Sequence, residues 1–377
     1  MNPKERIYLL FGGQSTEHEI SVITASLVFR HIDREKYDVF PIYLDKENQI
    51  FYISNFMEFK VFPDFQKLKL NPVSISLGKK VVFTIGKFNE LPKPDALVVL
   101  CHGGVGENGS LQGFLDILNI PYTGPLVQGA VYGMDKIGMK KIMQSEAIPM
   151  LPWMYIEKKA WEESKEKQCS LIKEFHPYPL IVKPAELGSS IGVQKVIDDE
   201  MLQEAIELAF MYDSRVVIEK FGENMIELIC SVRKSDDLVV TSAIGEVNNM
   251  NTIFTYEDKY LKGGKKMGKE AGVEAYVKKL PAHISKGLEE KVKAMAVDVY
   301  TMLRGESLAR IDFLVNEKTE EIFPIEINTI PGALSFFLWE AVGVQFHELL
   351  ESMISEAIAT YTARKEAIPK YKSPLLE

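Results

Sequence analysis

The sequence predicts an α/β protein of two or three domains that begins with a parallel, doubly wound layer. Its 377 residues exceed the usual size of one domain. Over the first 124 residues, apolar strand-like runs alternate with helical periods, and two glycines follow the first run. Further strands and helices follow after turn-rich stretches. These observations favour an open sheet followed by two more segments.

The elements of the first segment are predicted from local patterns. Strands are predicted at IYLLF, YDVFPIYL and DALVVLC, and helices at SVITASLVFRHI and SLQGFLDILN. Residues 45–94 contain four prolines and several short β-like runs, so we expect an elaboration on the parallel layer there. The segment ends near YTGPLVQG.

The second and third segments each combine strands with helices. In the second, we predict the helix KIGMKKIMQSEA, the strand YPLIVKP and the helix MLQEAIELAFM. The third begins after VVIEKFG, with predicted strands MIELICSV, VVTSAIGEV, ARIDFLV and IFPIEIN, and predicted helices EEKVKAMAVDVYTML and HELLESMISEAIATY. A lysine- and glycine-rich stretch within it has the composition of a flap.

The composition excludes several classes of protein. Hydrophobic residues make up 46% of the chain and charged residues 26%, which is typical of globular proteins. The net charge of -9 argues against a nucleic-acid partner, because such binding depends on clustered Lys and Arg. Three cysteines without CxxC spacing favour reduced thiols and a cytoplasmic location. We expect neither a signal peptide nor a membrane span, since no apolar run approaches the required length of about 18 residues.

The stretch FPIEINTIPG places polar side chains in an apolar strand. Regular alternation predicts that Phe323, Ile325 and Ile327 point to one face of the strand. Glu326 and Asn328 then point to the other face. Burying a carboxylate without a partner costs several kcal/mol, roughly. The strand therefore predicts a cation or a basic side chain beside Glu326.

The preceding strand, ARIDFLV, supplies candidates for both kinds of partner. Arg310 and Asp312 share one face of it, and pairing of the two strands brings Asp312, Glu326 and Asn328 together. Carboxylate and amide oxygens suit Mg²⁺ bound jointly with phosphates. The alternative is that Arg310 simply neutralises the acids as a buried ion pair.

The stretch YPLIVKPAELGSSIG is a candidate phosphate site. A buried strand ends at Lys183 and is followed by Gly188, Ser189 and Ser190. Glycines let backbone N–H groups approach a phosphate, and the lysine adds a positive charge. The stretch is not a Walker A motif, and an ordinary loop is the alternative.

Two other strands of the first segment end in glycine-rich turns with acids. LLFGGQSTEHEIS carries Glu17 at the start of a helix, where it could bind an ammonium group or merely favour the helix terminus. VVLCHGGVGENGSLQG carries His102 and Glu107. A histidine there is more often structural, but ligands bind at the carboxyl ends of parallel strands in open α/β sheets.

The stretch TIFTYEDKYLKGGKKMGK has the profile of a closing lid, with aromatic residues and Lys259. Its alternative is a solvated lysine-rich loop. Together, a lid, a phosphate lysine and a set of metal-binding acids indicate nucleotide-dependent ligation.

These motifs resemble those of ATP-grasp ligases, specifically the D-alanyl-D-alanine ligase family with its vancomycin-resistance relatives. The resemblance runs through FGGQSTEHE, CHGGVGENGSLQG, MDK, PLIVKPAELGSSIG, VVIEK, YEDKY, ARIDF and EINTIPG, in order over nearly the whole chain. It implies an N-terminal substrate-binding domain at 1–124 and two α+β lobes, at 125–221 and 222–377, that enclose ATP.

The resemblance also implies roles for individual residues. Nucleotide-binding roles fall to Lys136, Lys183, Ser190, Glu219, Glu227 and Lys259. Metal-binding roles fall to Asp312, Glu326 and Asn328, for two Mg²⁺ ions that Mn²⁺ could replace. Catalytic roles fall to Glu17, Ser189, Tyr260, Arg310 and Gly332, and substrate-pocket roles to His102, Ser335, Phe337 and Leu338.

The implied reaction joins two D-alanines through an acylphosphate, for peptidoglycan precursor supply, and allows a homodimer. The chain departs from the family pattern at three places, of which the mildest is GENG where the family usually has GEDG. The ribose-binding acid falls near Met225, with Glu227 two residues later, and Phe337 aligns where the family offers a serine to the second substrate. One alternative is a ligase of the same fold with another second substrate, such as D-serine, D-lactate or a bulkier amino acid. Another is a catalytically silent paralogue that senses amino acids.

Overall fold

The computed structural model describes residues 3–58, 65, 67–78, 81–86, 89–235, 238–247 and 277–367. These residues form three sheets, each with its own helices. Lys259 and Tyr260, together with the predicted lid, lie outside the described residues.

The N-terminal sheet has seven strands in the order β6-β5-β4-β3-β2-β1-β7. Strand β1 pairs in parallel with β2 and β7, which confirms the predicted parallel layer. Strands β3 to β6 continue the sheet in antiparallel pairing, so the 45–94 elaboration widens the same sheet. The elements are β1 (Glu5–Gly12), α1 (His18–His31), β2 (Tyr37–Leu44), β3 (Ile50–Ile53), β4 (Leu70–Ser76), β5 (Val82–Ile85), β6 (Asn89–Leu91), β7 (Ala96–Val99) and α2 (Ser110–Leu118).

The central sheet has four strands in the order β10-β9-β11-β8, all antiparallel. Two helices precede it and three pack on one of its faces around a separate apolar core. The elements are α3 (Val127–Met134), α4 (Lys136–Ser145), β8 (Trp153–Glu157), α5 (Lys158–Glu163), α6 (Lys165–Phe175), β9 (Leu180–Pro184), β10 (Gln194–Val196), α7 (Asp199–Ala209) and β11 (Arg215–Lys220).

The C-terminal sheet has five antiparallel strands in the order β14-β13-β12-β15-β16. A long helix packs on one face of it. The elements are β12 (Ile226–Ser235), β13 (Leu238–Val247), β14 (Val277–Lys279), α8 (Lys286–Met302), β15 (Ala309–Asn316), β16 (Glu321–Asn328), α9 (Phe336–Glu340) and α10 (Phe346–Ala367).

Apolar cores cross the predicted domain boundaries at two places. Met139 and Met143 of α4 pack in the core of the C-terminal sheet, although the prediction assigned this helix to the central lobe. Leu349 and Leu350 of α10 pack in the core of the N-terminal sheet. The boundaries at 124 and 221 therefore remain predictions, while the three sheets follow the predicted order.

Capping residues explain why two helices begin earlier than predicted. The Asp198 carboxylate accepts a hydrogen bond from Met201 N at 2.9 Å, and α7 begins at Asp199. The Ser285 hydroxyl accepts from Leu288 N at 3.1 Å, and α8 follows it. Each cap satisfies a backbone donor that the first helical turn leaves free.

The three cysteines, Cys101, Cys169 and Cys230, are free and buried, as predicted for reduced thiols. Among the helices in the described part of the chain, none has the length and hydrophobicity needed to cross a membrane.

Candidate active site between the central and C-terminal sheets

A buried ion triad lies on the face of the central sheet opposite its helices. The carboxylate of Glu219 lies 2.7 Å from Lys140 Nζ and 2.9 Å from Lys183 Nζ. Burial alone would raise the pKa of Glu219, but the charges of Lys140 and Lys183 outweigh it and lower that pKa to about 2. The triad carries one positive charge more than negative, which suits an anion such as a phosphate.

Lys136 connects this triad to the C-terminal sheet. It begins α4, where the Asp135 carboxylate caps the helix by accepting from Ile137 N at 3.0 Å. Its Nζ donates to the Leu187 carbonyl at 2.8 Å and lies 3.4 Å from Glu326 Oε1. The lysines of the central lobe and the predicted metal acids therefore meet across one cleft.

The predicted metal ligands converge on strands β15 and β16. Asp312 pairs directly opposite Glu326, and Arg310 opposite Asn328. The Asn328 amide donates to Asp312 Oδ2 at 3.3 Å. The strand pairing thus brings the three residues together as expected.

The predicted alternation of side chains along β16 is wrong at Phe323. The pairing shifts between Asp312 and Phe313, so that Phe313 is opposite Pro324 and Asp312 is opposite Glu326. Ile325 is the extra residue of a β-bulge. A bulge reverses the side-chain alternation, so Phe323 lies on the same face as Glu326 rather than opposite it.

Arg310 forms a bidentate ion pair with Asp312. Its Nε lies 2.7 Å from Oδ1 and its Nη2 lies 2.8 Å from Oδ2. This is the neutralised arrangement that the alternative interpretation predicted. It still leaves Glu326 and the Asn328 amide oxygen on the same face, so two carboxylates and an amide form a hard-oxygen set that fits Mg²⁺.

A second cluster surrounds Glu17 at the start of α1. The Ser189 hydroxyl donates to Glu17 Oε1. A Cβ atom on Gly103 would lie 2.6 Å from Glu17 Oε2, and one on Gly188 would lie 2.8 Å from it. A side chain at either position would therefore displace the Glu17 carboxylate, and Gly103 also has a φ angle of 65°, which favours glycine.

The loop that carries Ser189 and Ser190 has an uncommon backbone. Both serines have positive φ angles, 53° and 56°. Such a conformation costs an L-residue about 1–2 kcal/mol. Residues held in this region concentrate at ligand-binding sites, which is consistent with the predicted phosphate loop.

His102 is buried, and both of its ring nitrogens contact protein atoms. Nδ1 lies 2.6 Å from the Ile330 carbonyl, and Nε2 lies 2.9 Å from the Thr24 hydroxyl. Burial lowers the pKa of His102 to about 4, and the charge of Arg310 acts in the same direction. The ring is therefore neutral at physiological pH.

Glu107 anchors the same turn. Oε1 accepts from Thr329 Oγ1 at 2.9 Å and from Ile330 N at 2.8 Å, and Oε2 accepts from Gly103 N at 2.7 Å. Burial and the nearby Glu17 carboxylate raise the pKa of Glu107 to about 7, against these hydrogen bonds. Two residues of the motif CHGGVGENG thus hold the turn that follows β16.

The turn after β16 contains the predicted substrate residues. A Cβ atom on Gly332 would find its nearest neighbour, an Ile20 methyl, only at 4.0 Å, so the backbone there is open to a ligand. The Ser335 hydroxyl is buried and has no hydrogen-bond partner among the described residues. Leu338 is buried in an apolar cluster, while Phe337 is half-buried beside Phe336. Ser335 and Leu338 remain predictions as substrate contacts.

Glu227 lies on β12, opposite Leu314 of β15. A cavity of about 370 Å³ opens nearby, where the central and C-terminal sheets join. Lys220, Phe221 and Met225 line it from the connecting segment, and Phe323 lines it from β16. The position of Glu227 as the ribose acid remains a prediction.

The motifs did not identify Lys140 or Thr24. Lys140 lies four residues after Lys136 and therefore on the same helix face, which is a signal that could have identified it. Thr24 carries no such signal, since an isolated threonine in an amphipathic helix is ordinary.

Comparison with known proteins shows which class of protein this fold belongs to. A family model for the D-ala D-ala ligase N-terminus matches residues 6–125, and one for the D-ala D-ala ligase C-terminus matches residues 142–355. The structure is similar to that of the D-alanine-D-alanine ligase from Coxiella burnetii, with a TM-score of 0.80, 26% identity and coverage of 97% of each chain. The architecture is that of an ATP-grasp ligase.

Sequence relatives define the family more closely. The chain is 37% identical to the D-alanine--D-alanine ligase of Thermosipho africanus, over 96% of this chain and 95% of that one. It is 32% identical to the corresponding ligase of Macrococcus caseolyticus, over 98% and 99%. The VanG D-Ala:D-Ser ligase from Enterococcus faecalis is also similar, with a TM-score of 0.77, 29% identity and coverage of 94% and 100%. The chain belongs to the D-alanine–D-alanine ligase family.

We predict that Lys140→Met destabilises the protein by about 3–5 kcal/mol, because it leaves a buried carboxylate with one cation instead of two. Urea unfolding measures the change. Lys141→Met is the matched control, since Lys141 is the exposed neighbour on the same helix and should change stability by less than about 1 kcal/mol. Equal unfolding midpoints for the two variants would contradict the role given to Lys140.

Proposed function

We propose that this protein catalyses the ATP-dependent ligation of two D-alanines to D-alanyl-D-alanine, for peptidoglycan precursor synthesis. Full-length similarity to ligases of that name supports the proposal. The single observation that carries it is the 3.4 Å approach of Lys136 Nζ to Glu326 Oε1. It puts phosphate-binding lysines and metal-binding acids at one place, as phosphoryl transfer from a metal-bound nucleotide requires.

The nucleotide binds between the central and C-terminal sheets. Lys136 and Lys183 face its phosphates, the phosphate loop adds Ser190, and the buried Lys140 adds positive charge nearby. The cavity beside Phe221 and Phe323 has room for the base. Glu227 then contacts the ribose, and the family pattern assigns a further nucleotide contact to Lys259, outside the described residues.

Asp312, Glu326 and Asn328 hold the divalent ions. Two Mg²⁺ ions bound there, or Mn²⁺ in their place, supply charge neutralisation to the phosphoryl group in transfer. Arg310 orients the Asp312 carboxylate through its bidentate pair.

The first D-alanine binds between the N-terminal sheet and the serine loop. Glu17 accepts hydrogen bonds from its ammonium group, and Ser189 orients Glu17. The family pattern assigns a third member of this group to Tyr260, outside the described residues. The substrate carboxylate then attacks the γ-phosphorus of ATP, ADP leaves, and an acylphosphate forms.

The amine of the second D-alanine attacks the acylphosphate carbonyl. Negative charge develops on the carbonyl oxygen, where Arg310 and the backbone N–H of Gly332 stabilise it. Inorganic phosphate leaves and the amide bond remains. The substrates are small molecules, and we place the reaction in the cytoplasm; a homodimer is compatible with it.

The second-substrate pocket departs from the family pattern. Phe337 occupies the place of a serine that would bind the incoming carboxylate. The buried hydroxyl of Ser335 favours a backbone N–H of the turn as the substitute. We therefore expect D-alanine to be accepted but held weakly at this site. Similarity to a D-Ala:D-Ser ligase makes D-serine the first alternative to test.

We predict that Glu326→Ala abolishes dipeptide formation and weakens Mg²⁺-ATP binding without unfolding the protein. The reason is the loss of a metal ligand that also faces Lys136. ADP release with D-alanine and calorimetric titration of Mg²⁺-ATP measure the two effects. Glu317→Ala, which removes an exposed acid between β15 and β16, is the control. Turnover of Glu326→Ala near the wild-type rate would refute the assignment.

We predict that Phe337→Ser lowers the KM for the second D-alanine by about ten- to a hundredfold, the value of one hydrogen bond to a charged group. Ser335→Ala should leave that KM within about threefold, because its hydroxyl is buried. Initial rates over a range of D-alanine concentrations give separate KM values for the first and the second D-alanine site. A large change of this KM in Ser335→Ala, together with no change in Phe337→Ser, would contradict the prediction. It would show that Ser335, and not position 337, governs binding of the second carboxylate.

A further inference from the structure

A chain of hydrogen bonds connects α1, the end of β7 and the turn after β16. Starting from the turn, the Ala333 N–H donates to Thr24 Oγ1 at 3.2 Å. Thr24 Oγ1 lies 2.9 Å from His102 Nε2. His102 Nδ1 lies 2.6 Å from the Ile330 carbonyl oxygen. The chain thus begins and ends in the same turn, on either side of Gly332.

The chemistry of the four groups fixes the direction of every bond. A backbone N–H can only donate and a carbonyl oxygen can only accept. His102 Nδ1 must therefore donate to Ile330, and Nε2 of a neutral ring must accept from the Thr24 hydroxyl. The Thr24 oxygen accepts from Ala333 at the same time. The Thr24 hydroxyl takes part in two of the three bonds, as donor to His102 and as acceptor from Ala333, so its loss breaks both.

The surroundings keep the ring neutral. His102 and Thr24 are both buried, with exposed fractions of 3% and 1%. Burial and the charge of Arg310 lower the pKa of His102, while its bond to Ile330 opposes them. The same tautomer is therefore maintained at physiological pH.

The turn requires such support because its backbone is strained. Ala333, Leu334 and Ser335 have φ angles of 50°, 53° and 48°, three consecutive non-glycine residues in the left-handed region. One bond within the turn, from Leu334 N to the Pro331 carbonyl at 2.8 Å, closes it. A conformation of this kind persists only when its surroundings hold it. The second anchor is Glu107, described above.

We propose that Thr24 and His102 are positioning residues that hold the turn so that the Gly332 N–H points at the reacting carbonyl oxygen. This role rests on the proposed function, in which Gly332 stabilises the oxyanion. Neither residue touches substrate in this role, and His102 acts through the turn rather than as a wall of the first-substrate pocket. The N-terminal sheet thereby sets the geometry of the acyl-transfer step.

The two roles of His102 make different kinetic predictions. A side chain that lines the substrate pocket contributes to the KM of the first D-alanine. A side chain that positions an oxyanion donor contributes to kcat, since the donor acts when charge develops in the transition state. Substitution of Thr24 distinguishes the two roles, because it leaves the His102 side chain unchanged.

The experiment compares three variants of the full-length enzyme. Thr24→Val keeps the side-chain shape but removes both hydrogen bonds, and Thr24→Ser restores the hydroxyl. Thr123→Val is the matched control: Thr123 is equally buried, and its hydroxyl also accepts a backbone N–H bond, from Val99 at 3.1 Å. Steady-state kinetics with ATP and D-alanine and amide hydrogen exchange of peptides covering 330–335 are measured for each.

We expect Thr24→Val to lower kcat by about 10- to 100-fold, less than the outright loss of an oxyanion donor causes. The KM values for D-alanine should stay within about threefold, and exchange in 330–335 should be at least about tenfold faster. Thr24→Ser should recover both properties, and Thr123→Val should show neither change.

An unchanged kcat of Thr24→Val, a change confined to the KM for D-alanine, or unchanged exchange would overturn the proposal. A wild-type protein that forms no dipeptide would instead refute the proposed function. In that case, faster exchange in Thr24→Val would still show that Thr24 holds the turn. The role assigned to the turn in acyl transfer would be refuted together with the proposed function.

Discussion

The active site depends on one buried carboxylate, that of Glu219. A carboxylate so deeply buried requires cationic partners, and Lys140 and Lys183 approach it to 2.7 and 2.9 Å. The same contacts fix two flexible lysine side chains against the central sheet. One positive charge is left over at the cleft, close to Lys136. The residues of this structural ion triad are therefore also the ones to which we assign the nucleotide phosphates.

The opposite side of the site depends on a strained turn. Ile330 and Leu334 of this turn belong to the apolar core of the N-terminal sheet, although the turn follows a strand of the C-terminal sheet. Glu107 and His102 add polar anchors from the N-terminal sheet. Any movement of the two sheets relative to each other must therefore change the turn. The packing of the N-terminal sheet therefore helps to set the conformation of this turn.

The sequence was most informative at the ends of strands. Acids at the ends of apolar runs were enough to predict that Asp312, Glu326 and Asn328 meet, because side chains at strand ends converge, while the roles of these residues toward metal and of the lysines toward phosphate remain predictions. The β-bulge at Ile325 could not be predicted, since alternation alone does not show an unpaired residue. Thr24 was missed because tertiary packing decides which helical side chains reach the site, whereas the four-residue spacing from Lys136 could have identified Lys140. Likewise, only packing shows that the Ser335 hydroxyl is buried.

The most direct test of the account follows oxygen atoms through the reaction. D-alanine labelled with ¹⁸O in both carboxylate oxygens is incubated with ATP and Mg²⁺, and the products are analysed by mass spectrometry. Attack of the carboxylate on the γ-phosphorus predicts one ¹⁸O in the inorganic phosphate for each dipeptide formed, with ADP unlabelled. Label in AMP, or dipeptide formation with unlabelled phosphate, would contradict the acylphosphate route and the site built for it.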